Sequence, residues 1–317
     1  MLELRRDDAD RMTPHKLDAR IAFLLTLPPI LWAGNAIVGR LAVGTVPPVA
    51  LNAVRWAIAA LLLIPIAWPV LRDARWRQRE RAPYLLLLGG FGMGSYNALQ
   101  YLALTTSTPV NVTLIAASMP VWMLLIGLLV YRTHPRRNDW LGALLSLAGV
   151  ALVLSRGDLG VLRRLHLVTG DLLMLLAVFS WSLYSWLLAR PPAAMQGEQR
   201  PPWNWAEFLL VQMLYGLLWS GASAGVEAAM SNATWHWSPW LPALLLYVAV
   251  GPSLIAYRCW GLGVATVGPA VAAFFSNLTP AFAALMSAAL LGEPPHGYHL
   301  LAFAFIVAGI ALSSRRS

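Results

Sequence analysis

Ten runs of about 20 mainly apolar residues follow one another along the chain, and each is long enough to cross the hydrocarbon core of a bilayer as a helix. They lie near 19–38, 47–70, 82–104, 110–131, 138–155, 168–190, 205–227, 240–264, 267–291 and 297–314. Between them sit helix-ending sequences: VPP at 46–48, STP at 107–109, RPP at 190–192, GP at 268–269 and GEPP at 292–295. The longest connection, 191–204, is rich in Pro, Gln and Gly and reads as a linker between halves. Composition closes off a water-soluble alternative. Only 12% of the 317 residues are charged while 58% are hydrophobic, too little charge to cover a soluble surface.

The formal net charge of +9 does not indicate a nucleic-acid partner, because the basic residues fall in short clusters between the apolar runs. With the N-terminus placed inside, 17 Arg and Lys fall on the cytoplasmic side and four on the outer side. That asymmetry predicts both termini in the cytoplasm of a multi-pass protein of the plasma (inner) membrane, and an even number of spans. Trp32 and Asn35 and the lack of a clean small-x-small cleavage site before Arg40 favour a retained helix over a signal peptide for the first run. Cys259 is the single cysteine, so no internal disulfide and no cysteine metal site is expected.

The chain repeats itself. Laid over 269–316 without gaps, 109–156 brings Pro109 onto Pro269, Pro120 onto Pro280, Pro135 onto Pro295 and Gly149 onto Gly309. LGALLSLAGVAL at 141–152 then faces LAFAFIVAGIAL at 301–312. Five helices per copy is an odd number, so the second copy must enter the membrane upside down. The expected fold is therefore all-α and integral to the membrane, with ten transmembrane helices in two inverted five-helix repeats. Its parts are an N-terminal tail (1–18), a first repeat (19–156), an outer connecting loop (157–167), a second repeat (168–314) and a C-terminal tail (315–317). Inverted repeats around a central cavity suit alternating access by a transporter.

LWAGNAIVGRL at 31–41, the prolines at 47–48 and NAVRW at 52–56 resemble the opening of the EamA-type family of the drug/metabolite transporter superfamily. NLTP at 277–280 and LGEP at 291–294 are similar to that family's second-repeat signature. The first repeat departs from it, with YRT at 131–133 in place of Leu-Gly-Glu, which leaves Glu293 alone to carry any role of that glutamate. The resemblance implies ten helices, cytoplasmic termini and the export of small metabolites, often amino acids. The aromatic content resembles the aromatic amino-acid exporter branch.

Polar and aromatic groups on apolar helices mark a candidate cavity wall, because lipid leaves them no partner. Tyr96, Asn97, Gln100 and Tyr101 lie on the third span, the last three on one face, and interhelical bonding is the alternative role for them. Trp32 and Asn35 on the first span and Trp181 and Tyr184 on the sixth stand one turn apart at equivalent places of the two repeats. Such rings stack on a substrate ring or hold an ammonium group. Arg55 and Arg258, the latter beside Tyr257, are the two charges inside spans, and either suits a carboxylate. Arg258, nearer the cytoplasmic mouth, is expected to affect transport more than Arg55, the alternatives being a structural tether for Arg55 and an interfacial anchor for Arg258. Asn277 with Pro280, and Pro120 in the other copy, predict broken helices; Gly92 and Gly94 predict a hinge or a close approach.

No phosphate-binding loop GxxxxGK[ST] is present, and all six histidines lie in tails, loops or span ends, so neither ATP hydrolysis nor a metal or other cofactor is expected. No Asp or Glu falls near mid-bilayer, which favours facilitated movement over proton or sodium coupling. An enzyme would need a convergent nucleophile, base or metal cluster, and the sequence offers none. The expected partners are a small-molecule substrate and the lipid bilayer, with a scaffold or membrane-embedded enzyme as the rival reading.

Overall fold

The computed structural model describes residues 17–42, 44–107, 109–158, 160–164, 168–231, 234–291 and 297–314. Glu293 lies outside them. Helix occupies all ten ranges marked in the sequence. The elements are α1 (Ala19–Ala42), α2 (Pro48–Arg72), α3a (Ala82–Gly89), α3b (Tyr96–Thr106), α4a (Pro109–Ala116), α4b (Met119–Leu129) and α5 (Arg137–Leu154). After them come α6 (Thr169–Ala189), α7 (Trp205–Met230), α8a (Leu241–Val248), α8b (Ala256–Val267), α9a (Pro269–Ser276), α9b (Leu278–Leu291) and α10 (Gly297–Ser314). Gly90–Ser95 joins the halves of α3 as π-helix, and Ala249–Ile255 joins those of α8 in the same way. Among the described residues, seven helical segments are long and apolar enough to cross a membrane. Their outward faces carry Leu61, Ile66, Leu129, Leu144, Leu172, Leu218 and Leu300, each more than 60% exposed or close to it. In water each such side chain would forfeit about 1.5–3 kcal/mol of burial, so these faces fit lipid.

The repeat read from three prolines extends to every interruption of the helices. Between α3a and α5, each element starts 159 or 160 residues before its counterpart between α8a and α10. The packing is reciprocal too. The α3b segment packs on α6 while α8b packs on α1, and α4b packs on α6 while α9b packs on α1. Equivalent helices meet each other head to tail. A Cβ at Gly142 of α5 would stand 2.8 Å from Gly309 O of α10, and one at Gly149 would stand 2.7 Å from Ala302 O, so these helices run antiparallel.

The α2/α7 pair is antiparallel as well, and acidic side chains hold both of its ends. Glu227, near the end of α7, accepts hydrogen bonds from the backbone N–H groups of Val49 (3.0 Å) and Ala50 (2.8 Å) at the start of α2. A carboxylate there meets orphan donors and the positive end of the helix dipole. Asn204 and Glu207 form a capping box at the start of α7. At the other end, Asp73 caps α2's exit and accepts from the Trp203 indole at 2.7 Å. Partial burial pushes the Asp73 carboxyl up, but hydrogen bonds from Trp203 and Arg75 hold it below the ordinary 3.8. Its contribution is therefore complete at neutral pH, fades as pH falls through 3.8, and is gone below the folded value. Asp73→Asn should cost on the order of 1 kcal/mol at neutral pH, with the difference from wild type vanishing at the acid end of an unfolding titration.

The broken helices α4 and α9 meet at their breaks. Pro120 and Pro280 lack an N–H to donate, which interrupts the helical ladder one turn earlier. In α4 the Val121 N–H turns to Ser118 O, which leaves the Ala117 carbonyl free. Asn277, 1% exposed at the break of α9, donates to that carbonyl at 3.2 Å and to Ser146 Oγ at 2.8 Å. Positions 117 and 277 are repeat counterparts, so each break faces the other across the interface between copies. Asn277→Leu removes the one polar group that satisfies the Ala117 carbonyl among the described residues and should destabilise by about 1–3 kcal/mol, measured by thermal unfolding in detergent.

Candidate functional site

At the centre, where α1, α3b, α6 and α8b converge, aromatic rings from both halves form a single cluster. Trp181 of α6 stands at its hub. Its ring lies 5.3 Å from Trp32, 5.2 Å from Tyr96, 5.1 Å from Tyr184, 5.3 Å from Tyr257 and 5.4 Å from Trp260. Most are edge-on or tilted, the geometries that ring quadrupoles favour. The π-helical segments make this convergence possible. Gly92 lies in the first of them, where a Cβ would sit 2.5 Å from the Tyr184 ring, and its carbonyl accepts from the Tyr257 hydroxyl. Gly94 abuts Trp219 of α7 in the same way. Both glycines thus serve close approach, the alternative to a hinge.

Trp32, Tyr96, Asn97, Met119, Trp181 and Tyr257 line a cavity of about 20 Å³. That is room for about one water, so a substrate enters only if rings swing aside or helices part. Trp32 Nε1 donates to Pro252 O at 3.3 Å and Trp260 Nε1 to Ser185 Oγ at 3.1 Å. Trp181 Nε1 is buried with no acceptor among the described residues. Tyr184 donates to Gln212 Oε1 at 3.1 Å.

Beside the rings lies a buried cation. Arg55 of α2 is fully buried. Its Nη1 donates to Asn97 Oδ1 at 2.9 Å, Tyr101 OH at 3.1 Å and Asn35 Oδ1 at 3.3 Å. Its Nε and Nη2 donate to Ser253 Oγ at 3.1 and 2.8 Å. Ser253 lies in the second π segment and donates to Val248 O. One turn before Arg55, Asn52 donates to Met93 O at 2.9 Å in the first π segment. Helix α2 therefore latches both irregular segments with two side chains. Asn97 joins the two parts of the site, since it lines the cavity and accepts from Arg55.

The sequence-marked residues separate into two groups. Trp32, Asn35, Tyr96, Asn97, Tyr101, Trp181, Tyr184 and Tyr257 come together around the cavity and Arg55. Gln100 is half-buried and is not among the lining residues. Asn277, Pro120 and Pro280 belong to the crossed helix breaks. Arg258 stands elsewhere, half-buried, with its guanidinium 5.0 Å from the Trp205 ring centre. The packing thus sets Arg55 beside the cavity, on the lining residue Asn97, and Arg258 on Trp205. Along the chain only depth separates the two, and nearness to the cytoplasmic mouth favours Arg258. Met119 and Ser253 gave no sequence signal, because a methionine and a serine are ordinary on apolar helices.

The profile of the EamA-like transporter family matches the chain twice, over residues 19–155 and 168–315. An uncharacterized transporter of Archaeoglobus fulgidus is 25% identical over 306 residues, covering 95% of this chain and 99% of that protein. The uncharacterized inner membrane transporter YedA of Escherichia coli is 25% identical over 292 residues, 89% of this chain and 87% of its own. YyaM of Bacillus subtilis, also an uncharacterized transporter, is 22% identical over 86% of each chain. One solved crystal structure superposes with a TM-score of 0.71 at 21% identity, over 93% of this chain and 96% of the other, a likeness of fold.

Proposed function

The chain belongs to the EamA-like transporter family, and from that membership we propose that it is a membrane transporter exporting small polar metabolites, amino acids among them. Ten crossing helices in two inverted repeats, with both termini cytoplasmic, complete this reading. The antiparallel pairing of α2 with α7 and of α5 with α10 supports the inversion, since each pair consists of repeat counterparts.

The observation that carries the reading is the cavity, built by equivalent helices of both halves and closed around room for one water. A cavity between two repeats opens alternately when one repeat rocks against the other. Its aromatic wall suits flat or cationic groups and Arg55, behind the lining residue Asn97, suits an acid, a pairing found together in amino acids, aromatic ones above all.

Counterflow in proteoliposomes over a panel of amino acids and organic acids tests the function. Exchange of at least one amino acid well above empty vesicles is expected. A purified, folded protein that exchanges nothing favours the rival, a non-transporting scaffold or membrane enzyme on the same fold. Reporter fusions at both ends test the topology, and termini found on opposite sides would refute it.

A further inference from the structure

We propose that Arg55 is the carboxylate-binding residue of the central cavity, and that the site takes a monocarboxylate whose remaining part is aromatic or apolar. The inference rests on the transport reading above and adds the substrate class and the residue that selects it.

Three features carry it. First, every hydrogen bond of the Arg55 guanidinium goes to a neutral oxygen, from Asn35, Asn97, Tyr101 or Ser253. The Trp56 ring, 5.2 Å from the guanidinium carbon, gives a cation–π contact, but among the described residues no carboxylate pairs with Arg55, and a buried cation is costly without one. One arriving carboxylate supplies the missing charge through two parallel hydrogen bonds. Second, the present partners are easily released. Nη1 has two hydrogens for three acceptors, and among the described residues Nη2 donates to Ser253 alone, with its second hydrogen unmatched there. Tyr101 already donates to Asn35 Oδ1 at 3.0 Å, so this pair remains satisfied when Arg55 leaves it. Third, the cavity wall holds a second unmatched donor, the buried indole N–H of Trp181. Buried donors without acceptors are rare, so this N–H is a further donor that a ligand oxygen can satisfy.

The rest of the wall defines the remainder of the substrate. Trp32, Tyr96, Trp181, Tyr257 and Met119 offer ring faces and a thioether. A second carboxylate would find no cation there. Binding would also reach the backbone, since Ser253 anchors Arg55 to the π segment of α8. Drawing the guanidinium onto substrate loosens that anchor, which links occupancy to the packing of α8 on α2.

The test is calorimetric titration of the detergent-purified full-length protein with 3-phenylpropionate and with phenethylamine, matched in ring and differing in charged group. Wild type should bind 3-phenylpropionate at least about 10-fold more tightly than phenethylamine. Arg55→Gln should weaken 3-phenylpropionate by roughly 10- to 100-fold and spare phenethylamine. Because that variant takes the Arg55 donors from Asn97 and Ser253 and can misfold, Asn97→Asp is the companion. It keeps Arg55 and places a carboxylate against it, so the protein should fold while 3-phenylpropionate binding falls by a similar factor. No binding of 3-phenylpropionate by wild type, equal binding of the amine, or unchanged affinity in Asn97→Asp overturns the proposal. If the binding pattern holds but 3-phenylpropionate does not exchange in proteoliposomes, the transport reading fails and the carboxylate assignment stands.

Discussion

Trp181→Ala is expected to lower the unfolding free energy in detergent by about 3–5 kcal/mol, the range for emptying a large buried aromatic. Trp181 is 2% exposed and touches the rings of Trp32, Tyr96, Tyr184, Tyr257 and Trp260. These rings come from α1, α3b, α6 and α8b, so truncation removes dispersion contacts along four elements at once. Trp181→Phe separates packing from polarity. It removes a buried N–H that has no acceptor, which returns about 1–3 kcal/mol and offsets much of the lost ring volume. Stability of the phenylalanine variant should therefore stay within about 1.5 kcal/mol of wild type. A near-neutral Trp181→Ala in the same chemical-denaturation assay would show that the cluster is not the hub that the ring contacts describe.

The second large effect is expected at Gly89. A Cβ there would stand 2.5 Å from Gly216 N, 2.8 Å from Gln212 O and 2.9 Å from the Tyr215 carbonyl carbon. All three are backbone atoms of α7, and no rotamer change relieves them. Gly89→Val must push α3a away from α7, straining the Trp219 bond to Leu86 O and the packing of the first π segment on the same helix. The loss should exceed about 3 kcal/mol, the upper end of ordinary overpacking, and should show as a collapse in the yield of monodisperse protein. Gly221→Ala on α7 is the control. Its Cβ would meet nothing within 4 Å, and alanine is a better helix former by about 1 kcal/mol. Wild-type yield from Gly89→Val would mean that the two helices do not pack so closely.

The membrane class, the helical ranges and the offset of 160 were legible because they are one-dimensional properties. Apolar length and proline spacing survive in the chain whatever it packs against. Trp32, Asn97, Trp181 and Tyr257 were legible for a related reason, since a polar or aromatic group in an apolar helix must face something other than lipid. Gln100 obeys the same rule and lies outside the cavity wall, because the rule says that a partner exists and not which one. The π segments were not legible: their glycines suggest a close contact, with a hinge as the alternative, but not which rings, those of Tyr184 and Trp219, stand against them.

The two arginines mark the boundary between the levels. From the chain alone, Arg55 and Arg258 were each a charge in an apolar helix, separated only by depth. Depth is measured along one helix, whereas the partners of a guanidinium arrive from others. Asn35, Asn97, Tyr101 and Ser253 lie 20, 42, 46 and 198 residues from Arg55, and only the packing of α1, α3b and the second π segment around α2 gathers them. The sequence by itself determined a helical membrane protein of two repeats with aromatic residues at equivalent depths. Tertiary structure alone decided which cation stands at the centre, because hydrogen bonding acts over about 3 Å and has no memory of sequence separation.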